Sequence, residues 1–415
     1  MNNMKVRAES DQSISSKKHF EPRILISGAY ETLNRGTMAY IIGMLKALNM
    51  VLSSSPKYIL VSACRDIDAQ RYKEVSKKYN MKVIGINSNY YNETRSLRGW
   101  IIYIIHLWLI SLPYHMICDV IIDACGEVSS ETGLAFQLVR IIPSIIMKKR
   151  IILYGYSMEP IQSRFLKLLL RAIYNKVDLI TVRDEATRND LLSLGIVKAP
   201  VHLTADHAFL LEIAPQKRLN EIMLKEGLFE HEAHLAGLAP NFEYVMIKGY
   251  VEMMVRIIDY LIERFNLIVV LIPHFTTLKG TDDRSLIRAI FQMITNKHKV
   301  RMLAEDYLPS ELKGIIGACS LLISSRMHPS ILSTSMYVPT ILVMHRRKAF
   351  GFMRMLNLQE FTLNPEEIDF EELASKVDLC WYKKDEIKMM LKVKIRGIKR
   401  LAWLNAELLE KTGLD

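Results

Sequence analysis

Arg326 and His328 stand two residues apart in Ser324-Ser325-Arg326-Met327-His328-Pro329. They pair a permanent cation with a side chain that exchanges protons near neutral pH. The residues before them, 321–323, form a short apolar run of the kind that makes a buried parallel strand. Pro329 suits the first position of a helix, and the residue before a proline is pushed into extended geometry, so His328 is the expected N-cap. In α/β sheets such a junction is where ligands bind, and the positive end of the helix favours anions. The chemistry to expect there is the holding of a small anion and the protonation of something beside it.

Other strand-to-helix junctions carry related residues. The turn Gly28-Ala29-Tyr30-Glu31-Thr32-Leu33-Asn34-Arg35-Gly36 lets backbone N–H groups approach a ligand, with Asn34 to orient it, or is an ordinary connection. It is neither a dinucleotide fingerprint nor a P-loop. Arg183 ends the run 179–182 and reaches either a ligand or the neighbouring Asp184 and Glu185. Asp206, after the run 201–204, is a base, a supporting group or a cap. His274 follows the run 267–272 and serves either structure or ligand. His345-Arg346-Arg347-Lys348 is solvated surface or part of the edge that holds Arg326.

What is missing narrows the chemistry. No carboxylate pair emerges of the kind a glycosidase needs. Zinc-binding spacings such as H-E-x-x-H are absent, and so is the G-x-S-x-G of serine hydrolases. The collection is rich in Arg, His and Lys. It is suited to binding a small polyanion and giving it a proton.

The elements that must position these residues alternate between short apolar runs and amphipathic stretches, the pattern of parallel sheets with helices on both faces. Strands are expected at 23–28, 58–62, 82–86, 120–123, 151–155, 179–182 and 201–204, with helices at 37–49, 165–175 and 185–194. The chain turns polar near 212–234, and the strand pattern then restarts. Two Rossmann-like doubly wound α/β domains facing a cleft follow from this, at 22–212 and 213–380. A polar tail expected to be mobile occupies 1–21, and a long helix at 381–415 can pack back on the first domain. At 415 residues two domains are the natural count.

The formal charge of +11 suits anionic partners, and no zinc knuckle, recognition helix or aromatic-basic RNA motif points to nucleic acid. Five cysteines without a C-x-x-C indicate a reducing compartment. With no signal-peptide core in the first twenty residues, the expected location is the cytoplasm. Residues 100–113 are strongly apolar, but Pro113 is expected to stop them short of the roughly 20 residues that span a bilayer. They read as a helix buried against the first sheet or as a peripheral contact with the membrane.

In order, Thr181-Val182-Arg183-Asp184-Glu185, Ala205-Asp206-His207-Ala208-Phe209, Ser324-Ser325-Arg326-Met327-His328 and Val338-Pro339-Thr340 with Lys348 resemble the motifs of polysaccharide pyruvyl transferases. The resemblance spans most of 23–365. It implies a GT-B-like fold and transfer of the enolpyruvyl group of phosphoenolpyruvate onto a sugar of a cell-surface polysaccharide or lipid-linked glycan as a ketal, with no cofactor. It implies His328 as general acid and Arg183 with Arg326 as a clamp on the donor. Asn34, Gly36, Gly126, Asp206, His274 and Lys348 become substrate-binding candidates. Thr37 departs from the family's acidic residue after N-x-G, and its glycine-rich turn is reduced to Cys125-Gly126-Glu127. The base is therefore open among Asp123, Glu127 and Asp206. A GT-B glycosyltransferase using a nucleotide sugar is the alternative, and a non-catalytic scaffold the third reading.

Overall fold

The computed structural model describes residues 21–28, 32–88, 97–229, 234–277, 282–344 and 347–413, apart from the side chains of 97, 98, 100, 103, 104 and 348. Residues 1–20 of the expected tail, together with His345 and Arg346, lie outside the described residues.

Two parallel sheets form the frame. The first runs β3-β2-β1-β4-β5-β6-β7, with β1 at Arg23–Ser27, β2 at Lys57–Ser62, β3 at Met81–Gly85, β4 at Val120–Asp123, β5 at Arg150–Tyr156, β6 at Leu179–Val182 and β7 at Val201–Leu203. The second runs β10-β9-β8-β11-β12-β13, from β8 at Leu235–Ala239, β9 at Ile268–Leu271, β10 at Val300–Met302, β11 at Cys319–Ser324 and β12 at Thr340–Val343 to β13 at Thr362–Leu363. The central strands are near-continuous Ile, Leu and Val because both faces are covered. In β1, Ile24 and Ile26 join the core beneath the helix Arg35–Val51, while Leu25 joins Ile121 on the opposite face.

Each sheet reverses its strand order once, between β1 and β4 in the first and between β8 and β11 in the second. The register sets Ser27 beside Asp123 and Ala239 beside Ser324 at those points. A crevice opens beyond the carboxyl ends of strands where the order reverses, so both switch points define where a ligand can enter.

Prolines depart from the expected positions. The helix at the end of β11 spans Met327–Ser335 with Arg326 as its extended N-cap, φ −129° and ψ 141°. Pro329 is therefore its third residue, and His328 lies inside the first turn rather than capping it. First-turn N–H groups have no partner within the helix, so a proline there forfeits no hydrogen bond. Pro113 likewise does not end its segment, which is one helix over Leu97–Ile117. Leu107 and Ile110 before it and Tyr114 after it pack on one cluster with Leu25, Ile59 and Ile121, which carries the helix through. That helix is not buried: only a narrow side faces the sheet, and Ile101, Ile105 and Leu109 are exposed. Among the described residues no helix is long and apolar enough to cross a membrane.

The last helix, Lys384–Glu410, touches the helix Arg35–Val51, β5 and β6, and also the helix Met327–Ser335. Its buried Asn405 accepts from Thr204 Oγ1 at 2.9 Å and donates to the carbonyl of Ala205 at 3.1 Å. Backbone bonds stitch the two sheets' loops together as well: Arg35 N–H donates to His274 O and Thr276 N–H to Leu33 O, both at 3.1 Å.

Candidate active site

A cavity of about 250 Å³ lies at the switch point of the first sheet, lined by Gly28, Asn34, Thr37, Tyr40, Ala124, Cys125, Gly126, Glu127 and Arg183, and closed by His328 from the second. Asn34, Thr37 and Tyr40 share one side of the first helix at three-residue spacing. Asn34 caps that helix by accepting from Gly36 N–H at 2.9 Å. Gly28 adopts φ +87°, and a Cβ there would meet Asp123 Oδ1 at 2.7 Å, so only glycine lets the turn close over β4.

Gly36 does not touch the cavity. Its role is to leave room for His328, whose Nδ1 lies 2.1 Å from where a Cβ would stand. Burial pushes the His328 imidazole down to about 4, the guanidinium groups of Arg183 and Arg326 add to that, and Asp206 opposes it. Burial thus favours the neutral form of the ring.

Arg183 does not pair with Asp184 or Glu185. Asp184 caps the helix Glu185–Ser193 by accepting from Thr187 N–H at 2.7 Å, and Ser157 donates to it. Arg183 instead holds Asp206 through Nη1 in a buried pair. Asp206 also accepts from Ala208 N–H at 2.8 Å and lies 3.9 Å from His328 Nε2. Burial raises this carboxyl, but Arg183, His328 and the Ala208 N–H outweigh it, so it rests below the usual carboxylate range. Asp206 positions Arg183 and His328 and does not face the cavity.

Arg326 is likewise held by a carboxylate, Asp283 of its own domain. Its Nε and Nη2 hold Asp283 in a bidentate pair, both bonds 2.7 Å, and Asp283 also accepts from the N–H groups of Phe242, His274 and Phe275. Each arginine keeps donors for a ligand, since a guanidinium has five. His274 misses the cavity too: its ring lies behind His328, centroids 6.2 Å apart and 14° from parallel, and its carbonyl ties the two domains. Gly126 and Glu127 line the cavity. Asp123 is spent on Arg140 at 2.6 Å and Cys125 N–H at 3.1 Å. Lys348 belongs to the helix Arg347–Met355, and its side chain lies outside the described residues. Arg347 pairs with Asp190 at the surface.

Sequence reasoning passed over Tyr40 and Asp283. Tyr40 was legible as the next residue on the Asn34–Thr37 side of the helix. Asp283 had no such signal, because its partner arginine is 43 positions away.

Residues 43–347 match the family described as polysaccharide pyruvyl transferase. This chain belongs to that family. Among curated relatives, the amylovoran biosynthesis protein AmsJ of Erwinia amylovora is 23% identical over 278 residues. That alignment covers 63% of this pyruvyl transferase family member and 65% of AmsJ, so it spans less than two thirds of the relative's length. In fold, the chain is similar to a UDP-GlcNAc 2-epimerase from Neisseria meningitidis bound to UDP-GlcNAc, with TM-score 0.62, 12% identity, and 94% and 99% of the two chains covered. It is also similar to HepE of Anabaena in complex with UDP and glucose, with TM-score 0.58, 11% identity, and 95% and 99% covered. These neighbours establish two facing α/β domains of the GT-B type for this family member.

Proposed function

We propose that this protein transfers the enolpyruvyl group of phosphoenolpyruvate onto two hydroxyls of one sugar, forming a pyruvate ketal and releasing phosphate. The observation that carries this reading is the convergence of His328, Arg183 and Glu127 on one small cavity in a chain of this family. The donor's carboxylate and phosphate take the remaining guanidinium N–H groups of Arg183 and Arg326 and the N-terminus of the helix Met327–Ser335. Its charge beside His328 favours the imidazolium, so the acid is charged by the substrate it will protonate. His328 then protonates the methylene carbon, and the neighbouring carbon becomes electrophilic. Glu127, which lines the cavity with Arg183 and His328, takes the proton of the attacking sugar hydroxyl; Asp123 and Asp206 lie outside that lining, each in a buried ion pair. The second hydroxyl displaces phosphate, and its proton leaves with the phosphate or to solvent.

The acceptor belongs to a cell-surface polysaccharide or its lipid-linked precursor. A screen of donors and sugar acceptors, read by phosphate release and by mass gain on the sugar, tests the proposal. Phosphate release that needs both phosphoenolpyruvate and a sugar, and that is lost in His328→Ala, supports it. Release of a nucleoside diphosphate from a sugar nucleotide would instead establish a glycosyltransferase and overturn it.

A further inference from the structure

Three consecutive helices of the first sheet, Leu97–Ile117, Glu131–Ile146 and Arg164–Tyr174, cover one of its faces side by side. Their inner sides are spent on the sheet. Leu107 packs with Leu25 and Ile121, while Leu138, Ile141 and Leu170 pack with Ile151, Leu153 and Ile180. Their outer sides should then be polar, as on a solvated helix. They are not. Ile101, Ile105 and Leu109 run along the outside of the first helix about one turn apart, with Leu109 61% exposed, and Met116 follows two turns further on. Ile146 ends the second at 73%, and Phe165 and Leu168 stand on the third at 72% and 67%. Single exposed apolar residues are ordinary, but exposed apolar residues on the outer side of each of three neighbouring helices mark an interface.

The charges beside these residues select the occupant of the interface. Arg164 and Arg171 are exposed on the same side of their helix as Phe165 and Leu168, and exposed Lys148 follows Ile146. Neither the first nor the third helix contains an acidic residue. The one acid of the second, Glu131, accepts from the N–H groups of Gln162 and Ser163. A second copy docking through this face would bring these cations together, since a two-fold interface sets a patch against itself. An apolar surface with a cationic fringe and Glu131 as the one acid on its three helices matches an anionic bilayer on both counts.

We infer that this three-helix layer lies on an anionic membrane surface. Helices run back against parallel strands, so Ile101, Arg164 and Phe165 lie toward the carboxyl edge of the sheet, the edge that carries Gly126 and Glu127. The cleft would open beside the lipid headgroups. Only its use for a lipid-linked acceptor rests on the proposed function; the docking itself does not.

The test is co-sedimentation of the full chain with vesicles of phosphatidylglycerol and phosphatidylcholine, against vesicles of phosphatidylcholine alone. Wild type should pellet with the anionic vesicles and be released by salt. Phe165→Glu/Leu168→Glu should weaken that partition more than about tenfold with an unchanged melting temperature, because both side chains are already in solvent. Arg164→Gln/Arg171→Gln should remove much of the salt dependence. Wild type that stays in solution with anionic vesicles overturns the inference, as does equal pelleting of the Phe165/Leu168 variant. A dimer that this variant splits, without any vesicle binding, would assign the face to a second copy and overturn it too.

Discussion

Gly36→Ala separates a histidine's position from the stability of the fold. Gly36 is the second residue of a helix capped by Asn34, and its backbone is not in the left-handed region, so alanine is locally welcome. The added methyl would stand 2.1 Å from His328 Nδ1 and 2.3 Å from its Cγ. Ordinary contact begins near 3.4 Å, so the ring must retreat by about 1.3 Å. It can do so because the His328 side chain borders the cavity and keeps 20% exposure. A displacement of about 1 Å in a reacting group costs on the order of 100-fold in rate. The helix gains roughly 0.5–1 kcal/mol from alanine, and an off-rotamer histidine returns a similar amount. Turnover should therefore fall about 100-fold while the melting temperature stays within a few degrees. The assay is phosphate release from phosphoenolpyruvate with acceptor, beside a thermal melt and the His328 ring resonances by NMR. Gly397→Ala, with nothing within 4 Å of its Cβ, is the control that should leave activity unchanged. Turnover within about twofold of wild type in Gly36→Ala, at unchanged stability, would refute the idea that His328 must stand where glycine lets it stand.

Three further outcomes follow from the same geometry. Because burial holds His328 at about 4 when the site is empty, donor binding near neutral pH should take up a proton. Affinity should then strengthen as pH falls from the bound value toward about 4, and level off below it. Calorimetry in buffers of different ionisation enthalpy should show more proton uptake for wild type than for His328→Gln; equal uptake would remove His328 from that role. Arg326→Ala leaves the Asp283 carboxylate buried and unpaired, so it should lower stability by about 3 kcal/mol in denaturant titration, and Asp283→Ala in the same chain should restore part of it. Glu127→Gln should reduce turnover without weakening phosphoenolpyruvate binding; unchanged turnover would return the search for the base to the other carboxylates.

Much of the architecture can be read in the chain itself. Runs such as Ile24-Leu25-Ile26 and Leu321-Leu322-Ile323 are apolar at every position because both faces of a parallel strand are covered, and that local signal survives without neighbours. The helix Glu131–Ile146 and the two-residue β13 escaped that reading. The first carries Pro143 in its interior, and the second is too short to show a pattern. Pro113 and Pro329 mislead for one reason: a proline's local penalty is overridden when packing, or a first turn with spare N–H groups, absorbs it.

The candidate site divides in the same way. Residue types and order single out Arg183, Asp206, Arg326 and His328, since strand ends followed by helix starts are local features and the chemistry of each side chain travels with it. Their partners are not local. That Arg183 holds Asp206 while Arg326 holds Asp283 was settled by which loops the two sheets bring together. The same assembly sets His328 against Gly36 from the opposite domain, and it brings Asn405 of the last helix to brace the loop that carries Asp206. Hydrogen bonds and close contacts act over a few ångströms of space and are blind to separation along the chain. The sequence by itself therefore determined which side-chain types stand at the strand ends, and only the tertiary structure decided which of them pair with each other and which line the cavity.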